Sequence, residues 1–262
     1  MSTSKVPITD LGKTSLKVSK LGFGTVYLGL PQLNISPEEG GKILAQSHKL
    51  GINYWDTADD YGSHQHVASA LRHLRRKEVF ISTKTVFKNN EQLKKSLKNC
   101  LKELETDYID IFMLHGTTYR HLQECHQALR ELEELKNSET IKSIGLSTHS
   151  VAVVREVSEF KELDVVMAIC CKADQAIVNG FPEDIRLEDG SIKEMHEALK
   201  QAHDRGKGVI AMKVLGMGAT KLVENYQLAI KAVNQLGFVD AMVIGMRNLE
   251  EVEKNVKTIT SD

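Results

Sequence analysis

Four polar residues in the sequence have the types and the spacing needed for acid–base chemistry. Asp56, Tyr61, Lys84 and His115 each follow, within a few residues, a short apolar run of strand length. A tyrosine hydroxyl has an ordinary pKa of about 10, and a nearby lysine ammonium lowers that value by stabilising the phenolate. An aspartate beside the lysine would keep it protonated, and a histidine would hold a substrate oxygen or relay a proton. These four residue types suit the reduction of a carbonyl group.

Eight apolar runs of strand length position these residues. They alternate with longer segments, such as 93–104 and 122–135, in which leucines recur at spacings of three and four, as in amphipathic helices. This alternation is typical of a parallel sheet with crossover helices, so polar residues that follow the strands meet at one end of the sheet. The predicted strands are Leu21 to Gly24, Ile52 to Trp55, Val79 to Thr83, Tyr108 to Leu114, Ile141 to Leu146, Val165 to Ile169, Val209 to Met212 and Met242 to Ile244.

The strand count predicts an α/β fold, a (β/α)8 TIM barrel, as a single domain over residues 1–262. The alternative is a doubly wound open sheet, but its first strand usually leads into a GxGxxG turn, and here that turn reads Gly22-Phe-Gly24-Thr-Val-Tyr. Before the first strand, Pro7 to Asp10 and Leu16 to Ser19 flank a short turn. They predict an N-terminal β-hairpin that caps the barrel floor.

Composition and charge exclude several classes of partner. Lys and Arg total 34 against 35 for Asp and Glu, so the net charge of −1 gives no overall field that attracts nucleic acid or an anionic membrane. The sequence has no run of 18 apolar residues and no apolar leader, which predicts no membrane partner and a cytoplasmic location. The sequence is compatible with a monomer or a homo-oligomer. Free thiols are expected at the cysteines, Cys100, Cys125, Cys170 and Cys171.

No metal site is predicted. Two histidine pairs, His64 with His66 and His121 with His126, lack the four-residue helical spacing and the cysteine partners of a zinc site. They are interpreted as surface histidines.

Four sequence segments together resemble the landmarks of the aldo-keto reductase superfamily. GINYWDTADDYG, FISTKT, DYIDIFMLHG and IKSIGLSTHS occur in the family's order, and the resemblance covers nearly the whole chain. It implies a barrel that binds NADP(H) without a Rossmann motif and reduces an aldehyde or ketone to an alcohol, or carries out the reverse reaction. It further implies that Tyr61 is the general acid/base, supported by Lys84, Asp56 and His115, with a small carbonyl or alcohol as substrate.

The resemblance also implies a cofactor site built from the ends of several strands. Ser147-Thr148 stands where most family members carry Ser-Asn, so a hydroxyl is expected to replace an amide at the carboxamide. The nicotinamide end is assigned to Gly24, Thr25, Val26, Asp56, Ser147 and Thr148. The pyrophosphate is assigned to Lys213, Leu215, Gly216 and Gly218. The adenine end is assigned to Met246, Arg247, Asn248, Glu251 and Asn255.

Arg247 decides the predicted cofactor preference. Its guanidinium has the fork geometry that suits a 2′-phosphate, so NADP(H) is preferred over NAD(H). Glu251, one helical turn later, would oppose a second negative group.

The chain departs from the family pattern in two further places. His64 follows Tyr61-Gly-Ser where the family usually carries Tyr-Gly-x-Ser-Glu, and Ile169, Cys170 and Cys171 stand where many members stack an aromatic ring on the nicotinamide. The segment Lys172 to Ser191 is either a lid or a plain connection.

Two other functions were weighed. The first is a catalytically weak NADP(H)-binding regulatory barrel that acts through a protein partner, which the four polar residues argue against. The second is a barrel lyase, isomerase or aldolase that uses Lys84 as a Schiff base. It would need a lowered lysine pKa, whereas Asp56 would raise it.

Overall fold

The apolar runs form a closed barrel of eight parallel strands in the computed structural model, which describes residues 5–86, 89–171, 187–216 and 225–261. The strands follow one another round the barrel in chain order, and the last pairs with the first, so that Gly245 lies opposite Gly24. The barrel strands are β3 (Leu21–Gly24), β4 (Tyr54–Asp56), β5 (Phe80–Thr85), β6 (Ile109–Leu114), β7 (Ile141–Thr148), β8 (Val165–Ile169), β9 (Gly208–Met212) and β10 (Ala241–Gly245).

The described residues include eight α-helices, of which seven connect one barrel strand to the next and the eighth follows the last strand. Several begin at a Ser or Asn whose side chain accepts a hydrogen bond from the helix backbone, as Ser36, Asn89 and Asn248 do. The helices are α1 (Pro37–Lys49), α2 (His64–Leu71), α3 (Asn90–Leu104), α4 (Leu122–Asn137), α5 (Val151–Val157), α6 (Ile192–Asp204), α7 (Tyr226–Asn234) and α8 (Leu249–Thr260).

Side chains along each barrel strand point alternately into the barrel and outward to the helices, so the core has two layers. Tyr54, Ile111 and Met167 belong to a cluster inside the barrel, whereas Trp55 and Phe112 belong to the larger cluster between strands and helices. Trp55 is fully buried, as expected for a side chain that points under a helix and away from Asp56. Inward-facing polar residues near the strand ends are therefore directed to the barrel mouth.

A hairpin closes the other end of the barrel, as predicted. Its strands are β1 (Ile8–Asp10) and β2 (Lys17–Ser19), and Leu11, Leu16 and Val18 pack into the cluster inside the barrel. Gly12 has a φ of +53°, and a Cβ there would lie 2.3 Å from the backbone N of Gly208, so the turn requires glycine. The fold prediction is confirmed in both parts, barrel and hairpin.

All eight predicted strands are present, but two extend two residues further toward the mouth than predicted. β5 continues through Lys84 and Thr85, and β7 continues through Ser147 and Thr148. Parallel pairing with β6 and β8 continues past the apolar runs, so these polar residues are held by the sheet and not by a loop. In the described part of the chain, no helix combines the length and apolar character needed to cross a membrane.

Candidate active site

An ion pair between Asp56 and Lys84 lies just below the barrel mouth. Nζ of Lys84 donates to Oδ2 of Asp56 at 2.7 Å and to the carbonyl of Thr57 at 2.8 Å, and the two charged side chains are 1% and 5% exposed. Burial lowers the pKa of Lys84, but the charges of Asp56 and Tyr61 and their hydrogen bonds outweigh it and raise that pKa above its ordinary value. Lys84 is therefore a fixed ammonium at neutral pH.

Two residues that sequence analysis missed hold the other side of Asp56. The hydroxyl of Ser82 donates to Oδ1 of Asp56 at 2.5 Å, and the Tyr54 hydroxyl lies 2.9 Å from Ser82 Oγ. Burial, followed by the charge of Asp56, raises the pKa of Tyr54 well above its ordinary value. Strand alternation was the available signal, because Ser82 lies two residues before Lys84 on the same face.

Tyr61 lies in the loop after β4 and contacts the ammonium of Lys84. Nζ is 4.8 Å from the centre of the tyrosine ring, and the two side chains are hydrogen-bonded. Lys84 has the largest influence on the pKa of Tyr61 and lowers it, but burial together with the charges of Asp56 and Asp60 outweighs this effect. The pKa of Tyr61 is raised, opposite to the direction expected from Lys84 alone. Tyr61 is therefore a protonated donor at neutral pH.

His115 completes the group on the side of β6. Its ring lies edge-on to that of Tyr61, with 5.7 Å between the ring centres, and its side chain is 20% exposed. Nδ1 of His115 lies 3.5 Å from Oδ1 of Asp60, a distance at the outer limit of a hydrogen bond. This contact lowers the pKa of Asp60 and keeps it ionised. The structure thus brings together the four residues predicted from sequence, and adds Asp60.

His64 and His66 are buried, so their interpretation as surface histidines is wrong. Nε2 of His64 lies 2.9 Å from Oγ1 of Thr83, Nδ1 lies 2.7 Å from the Glu103 carboxylate, and Nε2 of His66 lies 2.9 Å from the Ile35 carbonyl. His64 thus fixes the start of α2 against the outer face of β5. No group of three or more potential metal-ligating His, Cys, Asp or Glu side chains occurs within the described ranges.

The residues predicted at the nicotinamide end lie at the ends of β3 and β7. Gly24 ends β3, Thr25 is buried and Val26 begins a short 3₁₀ turn. Thr25 donates through both its backbone N–H and its hydroxyl to the carbonyl of Asp56 at 2.9 Å, which ties β3 to β4. Contact of these residues with a cofactor stays a prediction.

The hydroxyl of Thr148 is already hydrogen-bonded within the protein. It donates to the carbonyl of Thr117 at 2.6 Å and accepts from the N–H of Ser150 at 3.0 Å. Oγ of Ser147 accepts from the N–H of Gly116 at 3.2 Å, which leaves its own proton to be donated elsewhere. Of this pair, Ser147 is therefore the better placed to donate to a carboxamide.

The predicted pyrophosphate loop begins directly after β9. Lys213 and Gly216 have φ values of +57° and +58°, and the N–H of Gly216 donates to the carbonyl of Lys213 at 2.9 Å. Leu215 packs against the core and Gly218 lies outside the described residues. Residues 213–216 therefore make a tight turn, and backbone N–H groups in turns of this kind can bind a phosphate.

The predicted adenine end lies at the start of α8. Asn248 caps the helix by accepting from the N–H of Glu251 at 2.9 Å, while Met246 and Asn255 are buried. Arg247 is half-exposed, and its Nε donates to Oε1 of Glu251 at 2.9 Å. The guanidinium assigned to a 2′-phosphate is thus paired with a carboxylate from the first turn of α8.

Most of the candidate lid, residues 172–186, lies outside the described part of the chain. Its described end is tied to the mouth by Asp189, which accepts from the Ser150 hydroxyl and from the backbone N–H of Val151. On the other side of the gap, Cys170 and Cys171 are buried, and burial raises the pKa of the Cys171 thiol to about 12. The thiols of Cys170 and Cys171 therefore stay protonated at neutral pH.

A cleft of about 600 Å³ opens beside His115, between the segments that follow β5 and β6. We call it the rim cleft; its walls include Asp60, Val86, Gln92, His115, Glu124 and Gln127.

Comparison with known proteins identifies the family of the chain. The sequence model of the Aldo/keto reductase family matches residues 20–234, most of the chain. The chain belongs to the aldo/keto reductase family. This aldo/keto reductase is 25% identical to L-galactose dehydrogenase of Arabidopsis thaliana over 98% of its own length and 89% of the relative's. It is 28% identical to the NADH-specific methylglyoxal reductase of Escherichia coli over 75% of its own length and 68% of the relative's.

Solved structures show the same fold for this aldo/keto reductase. The holo form of AKR11C1 from Bacillus halodurans superposes with a TM-score of 0.77 at 23% identity, covering 98% of this chain and 92% of the other. Family and relatives together make the chain an NAD(P)-dependent oxidoreductase.

Proposed function

We propose that this aldo/keto reductase reduces an aldehyde or ketone to an alcohol, or oxidises the alcohol, with Tyr61 as the general acid/base. The observation that carries the proposal is the contact between the Tyr61 ring and the ammonium of Lys84, at 4.8 Å, above the buried pair with Asp56. A phenol held by a fixed cation at the mouth of a barrel can donate its proton to a developing alkoxide.

The chemistry of the residues at the ends of β9 and β10 fits a dinucleotide. A lysine and a tight turn with positive φ at Gly216 follow β9, and Arg247 and the N-terminus of α8 follow β10, which together favour an anion. When bound, a reduced nicotinamide supplies the hydride that the carbonyl carbon accepts. We propose that Ser147 helps to hold its carboxamide and that Arg247 favours NADP(H) over NAD(H). Because Glu251 occupies the fork, this preference is weaker than a free arginine would give.

The other three residues support the proton transfer. His115, edge-on to Tyr61, orients the substrate oxygen. Lys84 stabilises the phenolate left on Tyr61, and Asp56 keeps Lys84 protonated and fixed. The raised pKa of Lys84 also argues against a Schiff-base mechanism, which requires a neutral amine.

Tyr61→Phe tests the proposal. The variant keeps the ring but loses the proton, so kcat/KM should fall at least about 100-fold, because general acid catalysis contributes at least that factor. The measurement is the oxidation of NADPH and of NADH by wild type and variant with activated aldehydes, ketones and quinones.

Tyr119→Phe is the matched control, since Tyr119 is 60% exposed and outside the proposed site. It should retain wild-type turnover. A Tyr61→Phe variant that binds cofactor and turns over like Tyr119→Phe would remove Tyr61 from the mechanism.

A further inference from the structure

The rim cleft lies on the opposite side of the barrel from the residues proposed to hold the pyrophosphate and adenine ends of the cofactor. Its walls follow β5 and β6, whereas the dinucleotide residues follow β9 and β10, and these two pairs are half-way round the ring of strands from each other. His115 lines the cleft and contacts Tyr61. A carbonyl compound whose oxygen reaches Tyr61 would therefore extend its remaining atoms into the rim cleft.

Most of the described side chains that line the rim cleft carry polar groups. Val86 is the one aliphatic side chain among the described residues that line it. Gln92 and Gln127 present amides, which both donate and accept hydrogen bonds. Gln92 accepts from Asn89 through its carbonyl oxygen, so its side chain presents N–H groups as donors to the described part of the cleft. An apolar ligand would remove these amides from water without replacing the hydrogen bonds that they make to it. A ligand with hydroxyl groups would replace those hydrogen bonds.

Among the described residues that line the rim cleft, carboxylates are the charged groups at neutral pH. Asp60 and Glu124 both line it, and its basic side chains within the described residues are the histidines His115 and His121, with no lysine or arginine. Asp60 is held ionised by its contact with His115. A phosphate or carboxylate on the substrate would be repelled by both carboxylates.

We propose that the rim cleft selects a neutral, hydroxyl-rich carbonyl compound, of the sugar class, over apolar and over phosphorylated carbonyl compounds. This inference rests on the proposed function, because it assigns the substrate class of the same site. A volume of about 600 Å³ is in the range of small-molecule sites and admits a molecule of several carbons with its hydroxyl groups.

A matched four-carbon series tests the inference. Erythrose, butanal and erythrose 4-phosphate differ in hydroxyl groups and in charge, and kcat/KM is measured for each with NADPH. We expect erythrose to exceed butanal by about fivefold or more, the value of one lost hydrogen bond, and to exceed the phosphate as well. Butanal or the phosphate used better than erythrose would overturn the inference.

Two variants of α4 assign the selectivity to the cleft. Glu124→Gln should raise the ratio of kcat/KM for erythrose 4-phosphate to that for erythrose about threefold, since an exposed carboxylate is screened. Gln127→Leu should lower the ratio for erythrose to butanal about fivefold. Glu133→Gln is the control, because Glu133 is exposed on the same helix but does not line the cleft. Equal effects of Glu124→Gln and Glu133→Gln would refute the role of the cleft.

A binding series separates this inference from the proposed function. Erythritol, butan-1-ol and erythritol 4-phosphate cannot act as carbonyl substrates, and saturation-transfer NMR reports their binding to the whole protein with and without NADPH. Preferential binding of erythritol, weakened by Gln127→Leu, supports the inference even if no aldehyde is reduced. Turnover of aldehydes without preferential binding of erythritol overturns the inference and leaves the proposed function standing.

Discussion

Tyr61 and its neighbours show how a single side chain takes its acidity from opposing effects. Lys84 lowers the pKa of Tyr61, whereas burial, Asp56 and Asp60 raise it, and the net direction is upward. As a proton donor, Tyr61 acts in its phenol form, which exists below its pKa. A raised pKa therefore extends reduction to higher pH, and the alkaline loss of activity should begin only above about pH 10.

Asp60→Asn tests this balance of charges. The substitution removes one charge that raises the pKa of Tyr61, so the pKa should fall and reductive activity should be lost at lower pH than in wild type. We expect a displacement of less than about one pH unit, because the Asp60 side chain is 52% exposed and solvent screens its charge. The measurement is the pH profile of kcat/KM for reduction.

Asp59→Asn is the control for this pH profile. Asp59 accepts from the Ser96 hydroxyl and does not act on Tyr61. The Asp59→Asn variant should lose reductive activity at the same alkaline pH as wild type. Equal displacement of the Asp59→Asn and Asp60→Asn profiles would contradict the effect of Asp60 on the pKa of Tyr61.

Residue types and spacing were sufficient to predict Asp56, Tyr61, Lys84 and His115, because each follows a strand of a parallel barrel. The same argument could not supply the environment of His64, which depends on Glu103 and Thr83, far away in the chain. It also could not supply the direction of the Tyr61 pKa, since burial is a property of the folded site.

At the scale of elements, α8 limits the selectivity for NADP(H). Glu251 lies one turn after Arg247 and pairs with its guanidinium, so the carboxylate competes with a 2′-phosphate for the same donors. Glu251→Gln should raise the ratio of Kd for NADH to Kd for NADPH about threefold, as expected for a solvent-screened pair. Fluorescence titration of both cofactors measures this ratio.

Glu250→Gln provides the comparison on the same helix. Glu250 is exposed and pairs with Lys254, away from Arg247. If Glu250→Gln changes the ratio as much as Glu251→Gln does, the pairing with Arg247 does not control selectivity.

Strands were easier to predict than their ends. Short apolar runs located all eight, because both faces of a parallel barrel strand are buried. The extension of β5 through Thr85 and of β7 through Thr148 was not predicted, because backbone pairing there holds polar residues. The rim cleft was not predicted either, since its walls combine side chains from three connections between strands and helices.

For the whole molecule, we propose that residues 1–262 form a single folding domain. Strand β3 near the start of the chain pairs with β10 near its end, so neither half has a complete barrel without the other. We expect one cooperative transition in denaturant, with the same midpoint by far-UV circular dichroism and by the fluorescence of buried Trp55. Two separated transitions would contradict this proposal.

The hairpin beneath the barrel affects how solvent and reactants reach the candidate site. Leu11, Leu16 and Val18 fill one end of the interior with apolar side chains. In the described part of the chain, the barrel is therefore closed at its floor, and Tyr61 faces solvent at the mouth. A reactant bound at the mouth thus slows the exchange of the Tyr61 proton with solvent.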